Sequence, residues 1–180
     1  GAERFDRIVL ATPPLEAARL AEPHAAAWAA AARALRYEPI VTVYLDSTRR
    51  LPAPMLALAD GPEAPGQFVF DLDLLGLAPR RLALVASGAA AWVERGVEAS
   101  GPAALAQLRS AFGWAEDSGL EVVKVMTEKR ATFRCTPQLD RPDMQVADAL
   151  LAAGDHVAGP YPATLEGAVR SGEAAAAALA

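Results

Sequence analysis

Apolar and polar positions along the chain change period several times, and each change marks an element. Residues 5–11 form a β-rich run that stops at Thr12-Pro13-Pro14, where two prolines end a strand and can open a helix in its first turn. Residues 15–20 then read as helical. Residues 24–35 are dominated by alanine and set Trp28, Ala32 and Leu35 on one stripe, which suits a helix lying on a sheet. Four β-like runs follow, at 39–45, 55–59, 67–72 and 81–87, separated by turn residues that include Pro52, Pro54, Gly61-Pro62, Pro65-Gly66, Gly76 and Pro79. In the first of them Thr42 and Tyr44 alternate with Val41, Val43 and Leu45, so one face is the more polar. Such short gaps favour an antiparallel meander, because a parallel crossover needs about a dozen residues.

After Gly88 the period becomes helical: Pro102 suits a first turn, Leu105, Leu108 and Phe112 recur at helical spacing, and Gly113 ends the run. A fifth strand is expected from Leu120 to Met126, extensible to Phe133, before a polar loop over 137–144. A short apolar run at 149–153, a Gly154-Asp155 pair, a loop through Pro160-Tyr161-Pro162 and a helix from about Ala163 to the end complete the chain. The first strand and this last β-loop-α unit read as pieces of one domain interrupted by the sheet.

Composition narrows the functions. The chain has 180 residues, 53% of them hydrophobic, enough to bury a core. Its formal charge of -5, with the basic residues scattered, argues against nucleic acid as a partner, which would require a concentrated basic footprint. Cys135 is the single cysteine and His24 and His156 the only histidines, so neither an intrachain disulfide nor a Cys/His zinc site is expected. A reducing, cytoplasmic setting fits this usage. No apolar stretch reaches the roughly 18–20 residues of a membrane span, and charged residues occupy the opening segment where a signal peptide would be apolar. Because that opening reads as a strand already under way, the chain is expected to be an excised part of a longer protein.

Chemistry concentrates in residues 150–172. An apolar strand delivers Asp155 at its carboxyl end, and a Gly/Pro loop leads into the amino end of a helix, whose free N–H groups and positive dipole suit a phosphate or an electron-rich ring oxygen. Ala163, Gly167, Ser171 and Ala175 fall at i, i+4 spacing, with Ala168, Gly172 and Ala176 beside them, leaving one helix side without bulk. Either a backbone or a flat cofactor can approach that side, and an alanine-rich helix packed on its own sheet satisfies the spacing equally well.

The string Ala153-Gly154-Asp155, followed by Tyr161-Pro162-Ala163-Thr164-Leu165-Glu166-Gly167-Ala168-Val169-Arg170-Ser171-Gly172, resembles the C-terminal FAD motif of flavin-containing amine oxidases and phytoene (carotenoid) desaturases. Residues 5–13, ending Ala11-Thr12-Pro13, resemble the strand by which such proteins return from the FAD domain to the substrate domain. Within that superfamily, Glu128-Lys129-Arg130-Ala131-Thr132-Phe133, Cys135-Thr136-Pro137 and Arg141-Pro142 resemble the squalene-associated FAD-dependent desaturase branch, the hydroxysqualene dehydroxylases of hopanoid biosynthesis.

The resemblance implies an α+β fold. An antiparallel or mixed sheet substrate domain with flanking helices (15–145) would be inserted between the last strand (1–14) and the C-terminal β-loop-α unit (146–180) of an FAD-binding fold. It implies FAD as cofactor, with Ala11, Thr12, Pro13, Gly154, Asp155, Tyr161, Pro162, Thr164, Leu165, Glu166, Gly167 and Ala168 as the cofactor-binding set. Asp155 would lie near the ribityl or pyrophosphate portion, and the turn from Thr164 through Ala168 would face the isoalloxazine. The substrate implied is a long apolar isoprenoid, with hydride passing between flavin N5 and an allylic carbon; for hydroxysqualene, reduced flavin would deliver hydride as the hydroxyl leaves. Peripheral membrane contact for substrate access goes with it. The family's glycine-rich dinucleotide fingerprint is expected upstream, since no G-x-G-x-x-G occurs in the 180 residues, and this chain alone is expected to hold no FAD and to turn nothing over.

Other candidates weigh less. Lys129 and Arg130 would touch a substrate hydroxyl, or simply be solvated as strand-end cations usually are. Tyr161 would cap the flavin edge or pack on its flanking prolines. His156 has no visible partner for acid or base work, Cys135 has no evident base, and Glu166 reads as a first-turn acid favoured by the helix dipole. No catalytic residue or metal ligand is identified. Two alternatives stand beside the isoprenoid oxidoreductase: a flavin amine oxidase, and a non-enzymatic domain that binds a partner through an apolar sheet face.

Overall fold

The computed structural model describes residues 3–179; Gly1 and Ala2 of the opening segment and Ala180 of the terminal helix lie outside the described residues. In chain order the elements are β1 (Ile8–Leu10), α1 (Pro14–Ala21), α2 (Ala26–Ala34), β2 (Tyr37–Ser47), β3 (Met55–Ala57), β4 (Phe68–Asp71), β5 (Arg81–Ser87) and α3 (Ala90–Arg95), then, after a 3-10 turn, α4 (Ser100–Phe112), β6 (Leu120–Phe133), β7 (Gln145–Ala147), β8 (Leu150–Ala152) and α5 (Leu165–Ala177). The fold is mixed α+β with two sheets. Two compact units divide the chain, one made of residues 1–36 and 132–180, the other of residues 37–131. These boundaries differ from the expected 14/15 and 145/146, because α1, α2 and residues 132–145 pack with the terminal strands rather than with the central sheet.

In the first unit β8 is the middle strand, parallel to β1 (Ile8 opposite Leu150, Leu10 opposite Ala152) and antiparallel to β7. All three residues of β8 are buried, as expected for a strand covered on both faces. Side chains alternate across it. Leu150 and Ala152 join Leu10, Val146 and Val157 against Ala17, Ala18 and Ala21 of α1 and Trp28, Ala29 and Ala32 of α2. Leu151 and Ala153 turn the other way, to Ala175 of α5 and Val9. The stripe expected on α2 is the buried one. Pro14 occupies the first turn of α1, where its missing N–H costs nothing.

The second unit is a five-stranded sheet of order β3-β4-β5-β2-β6. Antiparallel meandering holds for β3, β4 and β5 only. β2 pairs with β5 rather than with the next strand in sequence, Val43 opposite Leu84, and has β6 on its other side. From Pro39 to Ser47 it buries every second side chain, which suits a central strand, whereas three-residue β3, preceded by Pro52 and Pro54, suits an edge. One sheet face, with Val41, Val43, Leu45, Val69, Leu82 and Leu84, packs under Trp92 of α3 and Ala104 and Leu108 of α4. Gly113 ends α4 in the left-handed conformation (φ 63°), and its N–H returns to the Arg109 carbonyl.

Candidate functional site

Because β1 and β8 are parallel, their carboxyl ends leave the sheet at the same edge, where open α/β sheets bind ligands. The Ala153 N–H donates to the Leu10 carbonyl at 3.1 Å, so Ala11-Thr12-Pro13 and Gly154-Asp155 emerge side by side. The Pro13 carbonyl accepts the N–H groups of Glu16 and Ala17 and so opens α1. The Thr12 hydroxyl is buried there without a hydrogen-bond partner among the described residues.

Gly154 donates its N–H to Ser171 Oγ of α5 at 3.2 Å. A β-carbon on Gly154 would stand 2.6 Å from His156 Nδ1, because the imidazole folds back over this residue. His156 is almost wholly buried and meets Trp28 edge to face, with centroids 6.4 Å apart. The Trp28 indole in turn donates to the Asp143 carbonyl at 2.7 Å. Burial lowers the His156 pKa below its ordinary 6.5, and the Asp155 carboxylate, 3.9 Å from Nδ1, opposes that shift less strongly. The imidazole is therefore neutral at neutral pH, and its Nε2 is buried with no partner among the described residues.

The loop from Asp155 to Thr164 is fastened from two sides. The Arg141 guanidinium donates to the carbonyls of Asp155 (3.5 Å), Val157 (2.9 Å) and Gly159, while the Ala158 N–H donates to the Pro142 carbonyl at 2.9 Å. Tyr161 and Ala163 are held at φ 55° and 56°, a region that costs a residue bearing a β-carbon energy and that clusters at functional sites. Thr164 then caps α5: its Oγ1 accepts the Gly167 N–H at 3.0 Å and donates to the Tyr161 carbonyl at 2.6 Å. The Leu165 and Glu166 N–H groups have no acceptor among the described residues, so the helix amino end keeps two free donors.

The Gly167-Ser171-Ala175 row of α5 is occupied by the chain itself, while Gly172 beside it faces open space. The Tyr161 carbonyl sits where a Gly167 β-carbon would be, Ser171 meets Gly154, and Ala175 is buried against Leu151 and Ala153. Of the two approaches the small residues permit, the one seen along Gly167, Ser171 and Ala175 is that of the chain's own backbone and strands. The exposed surface of the same end carries Tyr161, Leu165, 89% exposed, and Val169. Arg170 lies 4.9 Å over the Tyr161 ring and pairs with Glu166 at 2.6 Å, so Tyr161 packs under a guanidinium. Pro162 is exposed and Ala168 half-buried.

Lys129 and Arg130 are exposed on β6, in the other compact unit. Cys135 is exposed, its thiol 3.8 Å from the Phe133 carbonyl. Among the described residues no cluster of three metal-binding side chains exists, and no helix is long and apolar enough to cross a membrane. Arg141, Ser171 and the Trp28–His156 contact are positioning features the sequence reading assigned no role.

A family model described as flavin containing amine oxidoreductase matches residues 1–180. No curated protein matches the chain. Among solved structures, an oxidoreductase from Methanosarcina mazei aligns with a TM-score of 0.69 at 15% identity, over 97% of this chain and 43% of its own. A protein of Exiguobacterium sp. 255-15 assigned as a protoporphyrinogen oxidase aligns with a TM-score of 0.67, also at 15% identity, over 98% and 41%. The chain spans less than half the length of either structure, and likeness at this identity is one of fold.

Proposed function

The chain belongs to the flavin containing amine oxidoreductase family, and from that premise we propose that it is the carboxyl-terminal part of an FAD-dependent oxidoreductase acting on a long isoprenoid of the squalene, hydroxysqualene or carotenoid kind. The observation that carries the flavin reading is the shared edge of β1 and β8. Ala11, Thr12 and Pro13 lie there beside Gly154 and Asp155, with two buried polar atoms, Thr12 Oγ1 and His156 Nε2, that find no hydrogen-bond partner among the described residues. Orphaned buried groups are costly and call for a partner from elsewhere.

These residues fit a flavin nucleotide. FAD, when bound, supplies two-electron redox chemistry that no side chain of the chain offers. Asp155, a half-exposed carboxylate at a strand end, is suited to accept hydrogen bonds from ribityl or ribose hydroxyls. The Leu165 and Glu166 N–H groups, at the positive end of α5, suit an electron-rich oxygen. Tyr161, Leu165 and Val169 present apolar surface that a ring system would cover, keeping water from it. Thr164 and Gly167 act indirectly, by fixing the turn from which these groups project. His156 and Arg141 likewise hold the Gly154-Asp155 segment in place.

An apolar substrate is supported by the second face of the five-stranded sheet, where Met55 lies opposite Phe70 and Phe68 opposite Val85, with Met55 and Phe68 exposed. The description of the matching family favours a second reading, an amine substrate. Anaerobic stopped-flow mixing of the flavin-loaded full-length protein separates them. Bleaching of oxidised flavin by phytoene, or reoxidation of reduced flavin by hydroxysqualene, with no response to a panel of amines, is expected. Bleaching by amines alone would assign the second reading.

A further inference from the structure

We propose that the loop between β4 and β5, residues 72–80, docks the protein on an anionic lipid bilayer through three leucines and a girdle of arginines. Leu74, Leu75 and Leu77 are 39%, 44% and 72% exposed, an unusual concentration of bare leucine for one turn. Their exposure is built in. The Leu77 and Ala78 N–H groups both donate to the Leu72 carbonyl, Leu75 to Asp71 and Gly76 to Asp73, and buried Asp71 accepts the N–H groups of Leu51, Asp73 and Leu74 through its carboxylate. A loop tied this way cannot fold its leucines inward without giving up those bonds.

The same end of the sheet gathers Arg49, Arg50, Arg80 and Arg81, with Asp71 and Asp73 between them, around a cavity of about 120 Å³. Arg50 pairs with Asp73 and Arg81 with Asp46, and among the described residues the Arg49 and Arg80 guanidinium groups have no acid partner. In a chain of formal charge -5, uncompensated arginines beside solvent-facing leucines match the two layers of a membrane surface, phosphate outside and acyl chain beneath. A few apolar side chains and cations suffice for interfacial attachment to a bilayer. This inference goes beyond the flavin reading and stands or falls without it.

Co-sedimentation of the full-length protein with vesicles of phosphatidylcholine alone, or mixed with phosphatidylglycerol, tests it. Binding to the mixed vesicles is expected, reduced about fivefold by Arg49→Gln or Arg80→Gln and further by added salt. Leu77→Asp is expected to weaken it more than about tenfold, with melting temperature and flavin content unchanged. Absence of binding to either vesicle would overturn the proposal, as would binding indifferent to both lipid charge and Leu77→Asp. Loss of self-association or of an acidic protein partner in Leu77→Asp, without vesicle binding by the parent, would assign the loop to a protein interface instead.

Discussion

Two glycines on α5 should respond in opposite directions to the same substitution. A β-carbon at Gly167 would lie 2.2 Å from the Tyr161 carbonyl oxygen and 3.2 Å from its carbon, backbone atoms that Thr164 holds through a 2.6 Å bond. Relieving the contact pushes the loop off the helix, an overpacking cost of about 1–3 kcal/mol, and removes the Thr164 cap, worth about 1 kcal/mol. Alanine returns about 1 kcal/mol of helix propensity, so Gly167→Ala should lose about 1–3 kcal/mol net, a fall of about 2–10 °C in melting temperature for a chain of this size. At Gly172, five residues further along, nothing lies within 4 Å of the added atom. Gly172→Ala should therefore gain up to about 1 kcal/mol. Urea and thermal unfolding of the two variants beside the parent measures both signs. If Gly167→Ala were neutral or stabilising like Gly172→Ala, the packing of Tyr161 on the small side of α5 would be refuted.

Thr164→Ala should cost about 1 kcal/mol in denaturant unfolding, and Thr164→Ser should recover most of it, since the capping oxygen is retained. His156 has a folded pKa below its unfolded value of 6.5, so its contribution to stability is complete above that pH and is lost as pH falls through the lower folded value. His156→Asn, which takes up no proton, should accordingly lose less melting temperature than the parent on going from about pH 7.5 to about pH 5; an equal loss would contradict the burial of a neutral imidazole. Arg141→Ala should speed hydrogen exchange at the Ala158 and Ala163 amides, which its carbonyl contacts hold in place, while amides of β2 and β5 keep their protection.

Local periodicity made much of this legible. Trp28, Ala32 and Leu35 share a face because helical spacing decides it, and Gly113 ends α4 because only a residue tolerant of positive φ closes that turn cheaply. The alternation of Val41, Val43 and Leu45 with Thr42 and Tyr44 likewise marked the buried face of β2. Pairing order was less legible. Adjacent strands are the natural first assumption, and nothing local says that β2 slots between β5 and β6; its length and alternate burial explain the choice only afterwards. β7 escaped notice because three residues show no period. The small residues of α5 announced a close approach without naming what approaches, and here it is the Tyr161 carbonyl and β8. Arg141 gave no signal of its role, because its acceptors are backbone carbonyls, which every residue carries.

Flavin content measured by absorbance of the full-length protein and of its Asp155→Ala variant tests the central claim most directly. A stoichiometric flavin spectrum in the parent, markedly depleted in a variant that melts at the parent's temperature, is the result expected. A colourless parent that takes up no FAD on reconstitution, or a variant that binds FAD as tightly as the parent, would contradict the assignment of the β1–β8 edge as a flavin site.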